Sequence, residues 1–191
     1  MNQERERAAS AAPTGRSLLL ADLDRLSEAL RSDDQPARIF QAIRSIAAEV
    51  IGFRLLTIMC FDSDRFEVER VFTNMPDIYP LSGRKKKRGS AWGEHVLLQL
   101  KPFRATCPEE IRQNFGDHAV ITGLGLGSML NIPVAYDGRC VGTLNLTHVE
   151  GWYIKAHEET GLLLASFLAA PLALHQTKNG FNAERSPGQP A

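Results

Sequence analysis

The spacing of apolar residues changes character several times along the chain, and each change marks an element. Leu19, Leu20, Leu23, Leu26 and Leu30 recur at the three- and four-residue intervals of one helix face. They predict a helix from Ser17, a residue able to cap it, to Leu30. Asp33-Asp34-Gln35-Pro36 interrupts that pattern, and Pro36 suits the first turn of a second helix. The second helix is expected to run to Val50, with Ile39, Ile43, Ile46, Ala47 and Val50 on one side and Gly52 closing it. The period then shortens. Leu55 to Phe61 (LLTIMCF) is a continuous apolar run with β-branched and aromatic members, as in a buried strand. After Asp62-Ser63-Asp64, Phe66 to Phe72 (FEVERVF) alternates apolar with charged residues, as in a half-exposed strand returning from a hairpin.

Residues 73–91 contain two prolines, two glycines and the basic run Arg84–Arg88 (RKKKR), and are expected as a long loop. Short helices are expected over Trp92–Leu100, Pro108–Phe115 and His118–Leu124, with a short strand at Phe103-Arg104-Ala105. Strands Ser128–Tyr136 and Cys140–Thr147 flank Asp137-Gly138, a strong hairpin signal. His157 to Gln176, rich in Leu and Ala, reads as one long helix. Polar stretches with many small residues at the two ends predict a disordered arm over 1–16 and a disordered tail over 177–191, leaving one domain over 17–176. The fold class that follows is α/β of the α+β type.

Within this order, Gly127-Ser128-Met129-Leu130-Asn131-Ile132-Pro133-Val134, the Asp137-Gly138 turn, and Val141-Gly142-Thr143-Leu144-Asn145-Leu146 resemble the signature of GAF domains. The order of elements over about residues 18–176 is similar to theirs too. The resemblance implies a central antiparallel sheet of five or six strands, terminal helices on one face, and short helices and loops covering a pocket on the other. It also implies ligand binding as the function, because members bind cyclic nucleotides, tetrapyrroles, haem or amino-acid-like metabolites, though some bind nothing detectable. Fold therefore does not fix function. Physical chemistry adds two local expectations. Gly142 inside a strand marks a close backbone approach or a bulge, and Pro133 belongs at a strand end or a bulge.

Charge and composition narrow the classes. The 191 residues carry 22 basic and 22 acidic side chains, and this balance argues against a nucleic-acid partner. The longest apolar stretch, Leu162 to Leu174, is interrupted by Ser166 and Pro171 and falls short of the roughly 20 residues of a membrane span. The amino terminus has no apolar core of a secretory signal. Cys60, Cys107 and Cys140 form neither a disulfide framework nor a CxxC pair, which suits a reducing cytoplasm. A homodimer is expected through the terminal helices, Leu18–Leu30, Ile39–Val50 and His157–Gln176. No kinase, cyclase, phosphodiesterase or DNA-binding segment is recognisable, so output is expected to pass to a separate protein.

Asn131, Thr143, Asn145 and Thr147 place amides and hydroxyls inside otherwise apolar strands. Either neighbouring groups and solvent satisfy them, or they form a ring of donors and acceptors for a polar ligand. Which sheet face carries Asn131 and Asn145 stays open at this level. Ser128 joins the candidates through the GAF-like motif. Tyr79, Trp92 and His95 frame the long loop and the helix after it, where an aromatic group can stack on a flat ligand. The Arg84–Arg88 run is either solvated or an attractor of phosphate or carboxylate. Cys107 is the one cysteine outside a predicted strand, near a helix start that would favour its thiolate. Bilin-binding GAF domains carry His after their attachment cysteine, whereas Pro108 follows here, and the paired cysteines of GAF-type free methionine sulfoxide reductases are not matched. The histidines have no metal-ligand spacing, so no metal is expected, and these residues specify no cofactor. The leading expectation is a small-molecule-binding sensory or regulatory domain without its own catalysis. The alternatives are a small cysteine-dependent redox enzyme and a ligand-free homodimeric interaction module.

Overall fold

The computed structural model describes residues 15–178. Most of the arm expected over 1–16 and most of the tail expected over 177–191 therefore lie outside the described residues. Two helices, α1 (Leu20–Arg31) and α2 (Ala37–Val50), lead into the hairpin β1 (Leu55–Asp62) and β2 (Glu67–Thr73). A short strand β3 (Arg84–Lys86), a π-helical segment α3 (Gly93–Leu98), strand β4 (Phe103–Ala105) and helices α4 (Pro108–Asn114) and α5 (His118–Gly123) follow. The second hairpin, β5 (Ser128–Tyr136) and β6 (Arg139–His148), precedes α6 (Lys155–Ser166) and α7 (Ala169–Lys178). The strands form one six-stranded sheet in the order β3-β2-β1-β6-β5-β4, and every neighbouring pair is antiparallel.

Alternation along the central strands sorts side chains between two faces. Leu56, Ile58 and Cys60 of β1, Leu130, Ile132 and Val134 of β5, and Leu144 and Leu146 of β6 turn to one side. There they pack against Leu26 of α1, Ile39, Ile43, Ile46 and Val50 of α2, Leu164 of α6, and Leu172 of α7. This is the main core. The opposite face meets residues 73–127 and carries two smaller apolar clusters, one around Leu55, Ile121 and Met129 and one around Phe61, Trp92 and Val96.

Four local features depart from the sequence reading. The first helix starts at Leu20, not Ser17, because Asp22 takes the capping role from inside the first turn. Its carboxylate accepts from the Leu19 N–H at 2.9 Å and from the Arg16 guanidinium at 2.6 and 2.7 Å. Arg16, placed in the expected arm, also pairs with Glu49 of α2. The helix expected over His157–Gln176 is broken at Phe167-Leu168 and bent by 52°. Pro171 has no N–H to give the carbonyl four residues back, which is that of Phe167. Neither half is long and apolar enough to cross a membrane, and no other single helix is among the described residues. The helix expected at Trp92–Leu100 is π-helical over most of its length. Finally, part of the expected 73–91 loop is strand, since Arg84, Lys85 and Lys86 pair with Glu69, Val68 and Glu67. Three consecutive basic residues have no strand propensity of their own, and the ladder to β2 and the Arg84–Glu69 bond at 2.6 Å impose it.

Gly142 meets both halves of its expectation. Its register partner on β1 is Cys60, and the β5–β6 ladder shifts beside it, between Val134 and Ala135. A Cβ here would fall onto the Met59 carbonyl and lie 2.6 Å from Leu172 Cδ1. Pro133 sits in β5 beyond the end of β4, which stops at Phe103 opposite Asn131, so its missing N–H interrupts no β4 pairing. Gly142→Ala should lower the free energy of unfolding by about 2 kcal/mol or more, since overpacking against backbone has no easy relief. Gly123→Ala, where a Cβ meets nothing within 4 Å, should be neutral or slightly stabilising. Urea unfolding of the two variants checks the contrast.

Candidate functional site

The sheet face turned toward residues 73–127 is unusually polar at its centre. Thr57 of β1 stands opposite Asn145 of β6, and Asn145 stands opposite Asn131 of β5, so one register row crosses three strands. The two asparagines therefore share this face and touch. The Trp92 indole N–H donates to Asn131 Oδ1 at 2.9 Å, and Asn131 Nδ2 donates to Asn145 Oδ1 at 2.9 Å. Asn145 Nδ2 then donates to Thr57 Oγ1 at 3.2 Å and Thr143 Oγ1 at 3.1 Å. An indole can only donate, so it sets the orientation of Asn131, which in turn sets that of Asn145. Asn131 is 3 % exposed, and leaving either amide unpaired at this depth would cost about 1–3 kcal/mol.

A cationic wall faces this row. Arg70 of β2 lies opposite Met59 and is buried, with Nη1 donating to the Pro80 carbonyl at 2.7 Å. Its guanidinium carbon lies 5.1 Å from the Tyr79 ring centre. Burial lowers the Arg70 pKa and pushes the Tyr79 phenol up to about 12. Arg70 Nε and the Tyr79 hydroxyl are both buried with no hydrogen-bond partner among the described residues. Lys85 of β3 pairs with Asp117 at 2.6 Å. Burial pushes the Asp117 carboxyl up, but that bond together with the Lys85 and Lys87 charges outweighs it and leaves the group below its ordinary range. Lys87 sets its ammonium 4.5 Å from the Trp92 ring centre and 5.4 Å from that of Phe115. Burial, aided by the Lys85 charge, lowers it to about 8.

These walls bound a narrow cleft whose cavity volume is about 60 Å³, smaller than the roughly 300–1,000 Å³ of most small-molecule sites. Of the residues singled out in the sequence, Tyr79, Trp92, Asn131, Asn145 and Thr147 line it. Thr143 lies beneath Asn145 as a hydrogen-bond acceptor. The other three are placed elsewhere. His95 Nε2 bonds the Pro102 carbonyl at 3.0 Å, Ser128 Oγ donates to the Val149 carbonyl at 2.7 Å, and Cys107 precedes α4 as its N-cap residue. Cys60 and Cys140 are buried, and burial pushes both thiols up to about 12.

Sequence reasoning missed Thr57, Arg70, Phe115 and Asp117, and treated Lys85 and Lys87 only as members of a run. Arg70 had a signal. In FEVER the apolar members are Phe66 and Val68, so the next residue on their face is Arg70, a charge at a core position. Lys85 and Lys87 share an inward face by the same period of two once β3 is recognised. Asp117 and Phe115 carry no such signal, because they reach the cleft through the tertiary placement of the α4–α5 connection.

The depressed Lys87 pKa has a direct consequence. Native Lys87 loses its proton near pH 8, whereas the unfolded chain keeps it to about 10.4. Between those values the unfolded state binds more protons, so this group makes stability rise with pH. Lys85, Asp117, Arg70 and Tyr79 are the ionisable groups sharing its cleft. Thermal midpoints of wild type and Lys87→Met, compared from pH 7 to 10.5, should shift in favour of wild type above pH 8. A constant difference would contradict the assignment.

Comparison with known proteins yields no match to a protein-family model and none to a curated protein. The likeness lies in structure. The GAF domain of a phosphoenolpyruvate-protein phosphotransferase from Coxiella burnetii superposes with a TM-score of 0.69 at 16 % identity, covering 84 % of this chain and 96 % of that one. The corresponding domain from Acinetobacter gives 0.66 at 13 % identity, covering 86 % and 97 %. The GAF domain of a two-component sensor histidine kinase from Bacillus halodurans gives 0.60 at 15 % identity, covering 76 % and 98 %. Identities this low speak to fold alone. The fold is that of a GAF domain.

Proposed function

We propose that this GAF-fold domain is a small-molecule-binding regulatory domain of the cytoplasm, with its ligand seated between the sheet and residues 73–127. The observation that carries this reading is the cleft itself. It joins a preset row of neutral hydrogen-bonding groups, Thr57, Asn131 and Asn145, to the aromatic faces of Trp92 and Phe115. A few fixed polar groups in an otherwise apolar concavity are what orients a small ligand. One structural neighbour is the GAF domain of a two-component sensor histidine kinase, which supports a sensory use. Free thiols at Cys60, Cys107 and Cys140 accord with a reducing compartment.

Output is assigned to the terminal helices. Asn131 sits between Leu130 and Ile132, and Asn145 between Leu144 and Leu146, whose side chains pack into the helical core on the far face. A shift of either asparagine on ligand binding is thus felt by α2, α6 and α7 through a single strand thickness. Leu20, Leu162, Leu163 and Leu174 remain exposed on α1, α6 and α7, and a homodimer through these helices would cover them.

Native mass spectrometry of the freshly purified chain, with a thermal-shift panel of nucleotides, amino-acid derivatives, tetrapyrroles and heterocyclic metabolites, tests both parts. The expected result is a dimer mass and a bound or accepted ligand. At a hundredfold excess over its dissociation constant the ligand stabilises by about 2.7 kcal/mol, and Asn145→Leu abolishes the effect. An unliganded chain with no shift across the panel would contradict ligand sensing and favour a ligand-free interaction module.

A further inference from the structure

We propose that the ligand of this cleft carries an oxyanion, a carboxylate or a phosphate, seated among Arg70, Tyr79 and Lys87; this rests on the ligand-binding reading above. Arg70 and Tyr79 are 5 % and 8 % exposed, yet Arg70 Nε and the Tyr79 hydroxyl have no partner among the described residues. Buried polar atoms in native proteins are paired as a rule, and exceptions ask for a reason. Arg70 Nε and the Tyr79 hydroxyl are neighbours, line the same cleft and are both donors. With Nη1 held by the Pro80 carbonyl, the guanidinium offers its Nε side, an edge on which a carboxylate or phosphate docks through two oxygens.

Charge balance points the same way. Arg70, Lys85 and Lys87 line the cleft with Asp117 as the one carboxylate among the lining residues. Asp117 is engaged by Lys85 at 2.6 Å. Lys87 is held by the ring faces of Trp92 and Phe115, and a ring face is a weaker partner than an anion. A neutral ligand would close the site over uncompensated cations, a costly arrangement in low dielectric. An oxyanion supplies the missing charge and acceptors together. Leu55, Met59, Ile121 and Met129 form the apolar remainder of the wall, so the rest of the molecule is expected to be compact and apolar.

Isothermal titration of the full chain with benzoate, phenyl phosphate, benzamide and benzylamine separates the possibilities, with Lys87→Met and Tyr79→Phe as variants. Benzoate, phenyl phosphate or both should bind at least tenfold tighter than neutral benzamide, and benzylamine should not bind. A preference for one oxyanion names the source of the group. Lys87→Met should weaken oxyanion binding roughly tenfold, the scale of one charge-assisted hydrogen bond, and leave benzamide unchanged. Tyr79→Phe, which removes only an unpartnered hydroxyl, should keep the fold and weaken oxyanion binding severalfold. Equal binding of benzamide and benzoate, unaffected by Lys87→Met, would overturn the oxyanion and leave the cleft as a ligand site. Failure of all four probes would overturn both.

Discussion

The open face of the sheet depends on one requirement: the buried indole N–H of Trp92 must find an acceptor. Asn131 Oδ1 supplies it at 2.9 Å, and that choice leaves Asn131 with only N–H groups to offer its neighbour. Asn145 accepts and passes the polarity on to Thr57 and Thr143. Five side chains on three strands and one helical segment are thereby locked in a single direction. A network of this kind is stable only when each member is satisfied. Here it ties the cover, through Trp92, to the centre of β5, β6 and β1.

That network also explains how one sheet serves two solvents. Each central strand alternates, so Thr57, Asn131 and Asn145 each have apolar neighbours on both sides directed into the helical core. Gly142 lets β6 approach β1 and α7 closely enough to seal that core, while the bulge beside it adjusts the end of the hairpin. The helical side is held by burial, the open side by directional bonds, and the cleft lies where directional bonds run out. At its far wall Arg70 Nε and the Tyr79 hydroxyl are buried without partners among the described residues, and recognition chemistry concentrates there.

Much of the fold was legible because it rests on local period. The two hairpins, the paired amino-terminal helices and the order of elements follow from apolar spacing and from turn residues such as Asp137-Gly138. What failed was set by tertiary contact. Asp22, not Ser17, closes the start of α1 because Arg16 and the Leu19 N–H converge on it. Strand β3 exists because β2 offers an edge to a basic run. The α6–α7 bend was in principle visible at Pro171, whose lack of an N–H was outweighed in the sequence reading by a Leu- and Ala-rich pattern. In the site, Asn131 and Asn145 were legible as polar residues inside apolar strands, while Thr57, one hydroxyl in the run LLTIMCF, was not singled out. The cationic wall was not, because Lys85, Lys87 and Asp117 reach it through pairing and loop placement, although Arg70 broke the alternation of its own strand.

The central claim is that the face built on the Trp92 relay is a ligand site. The chain has two tryptophans, and their indoles report from different places. Trp92 donates to Asn131 in the cleft, while Trp152 donates to the Ile51 carbonyl at 2.9 Å beside the helical core. The most direct measurement is to follow both indole N–H resonances of ¹⁵N-labelled protein through a library of neutral, cationic and oxyanion-bearing fragments. Binding in the cleft should move the Trp92 resonance, saturably, and leave that of Trp152 in place. A Trp92 resonance that no fragment moves, or two resonances that always move together, would contradict the account.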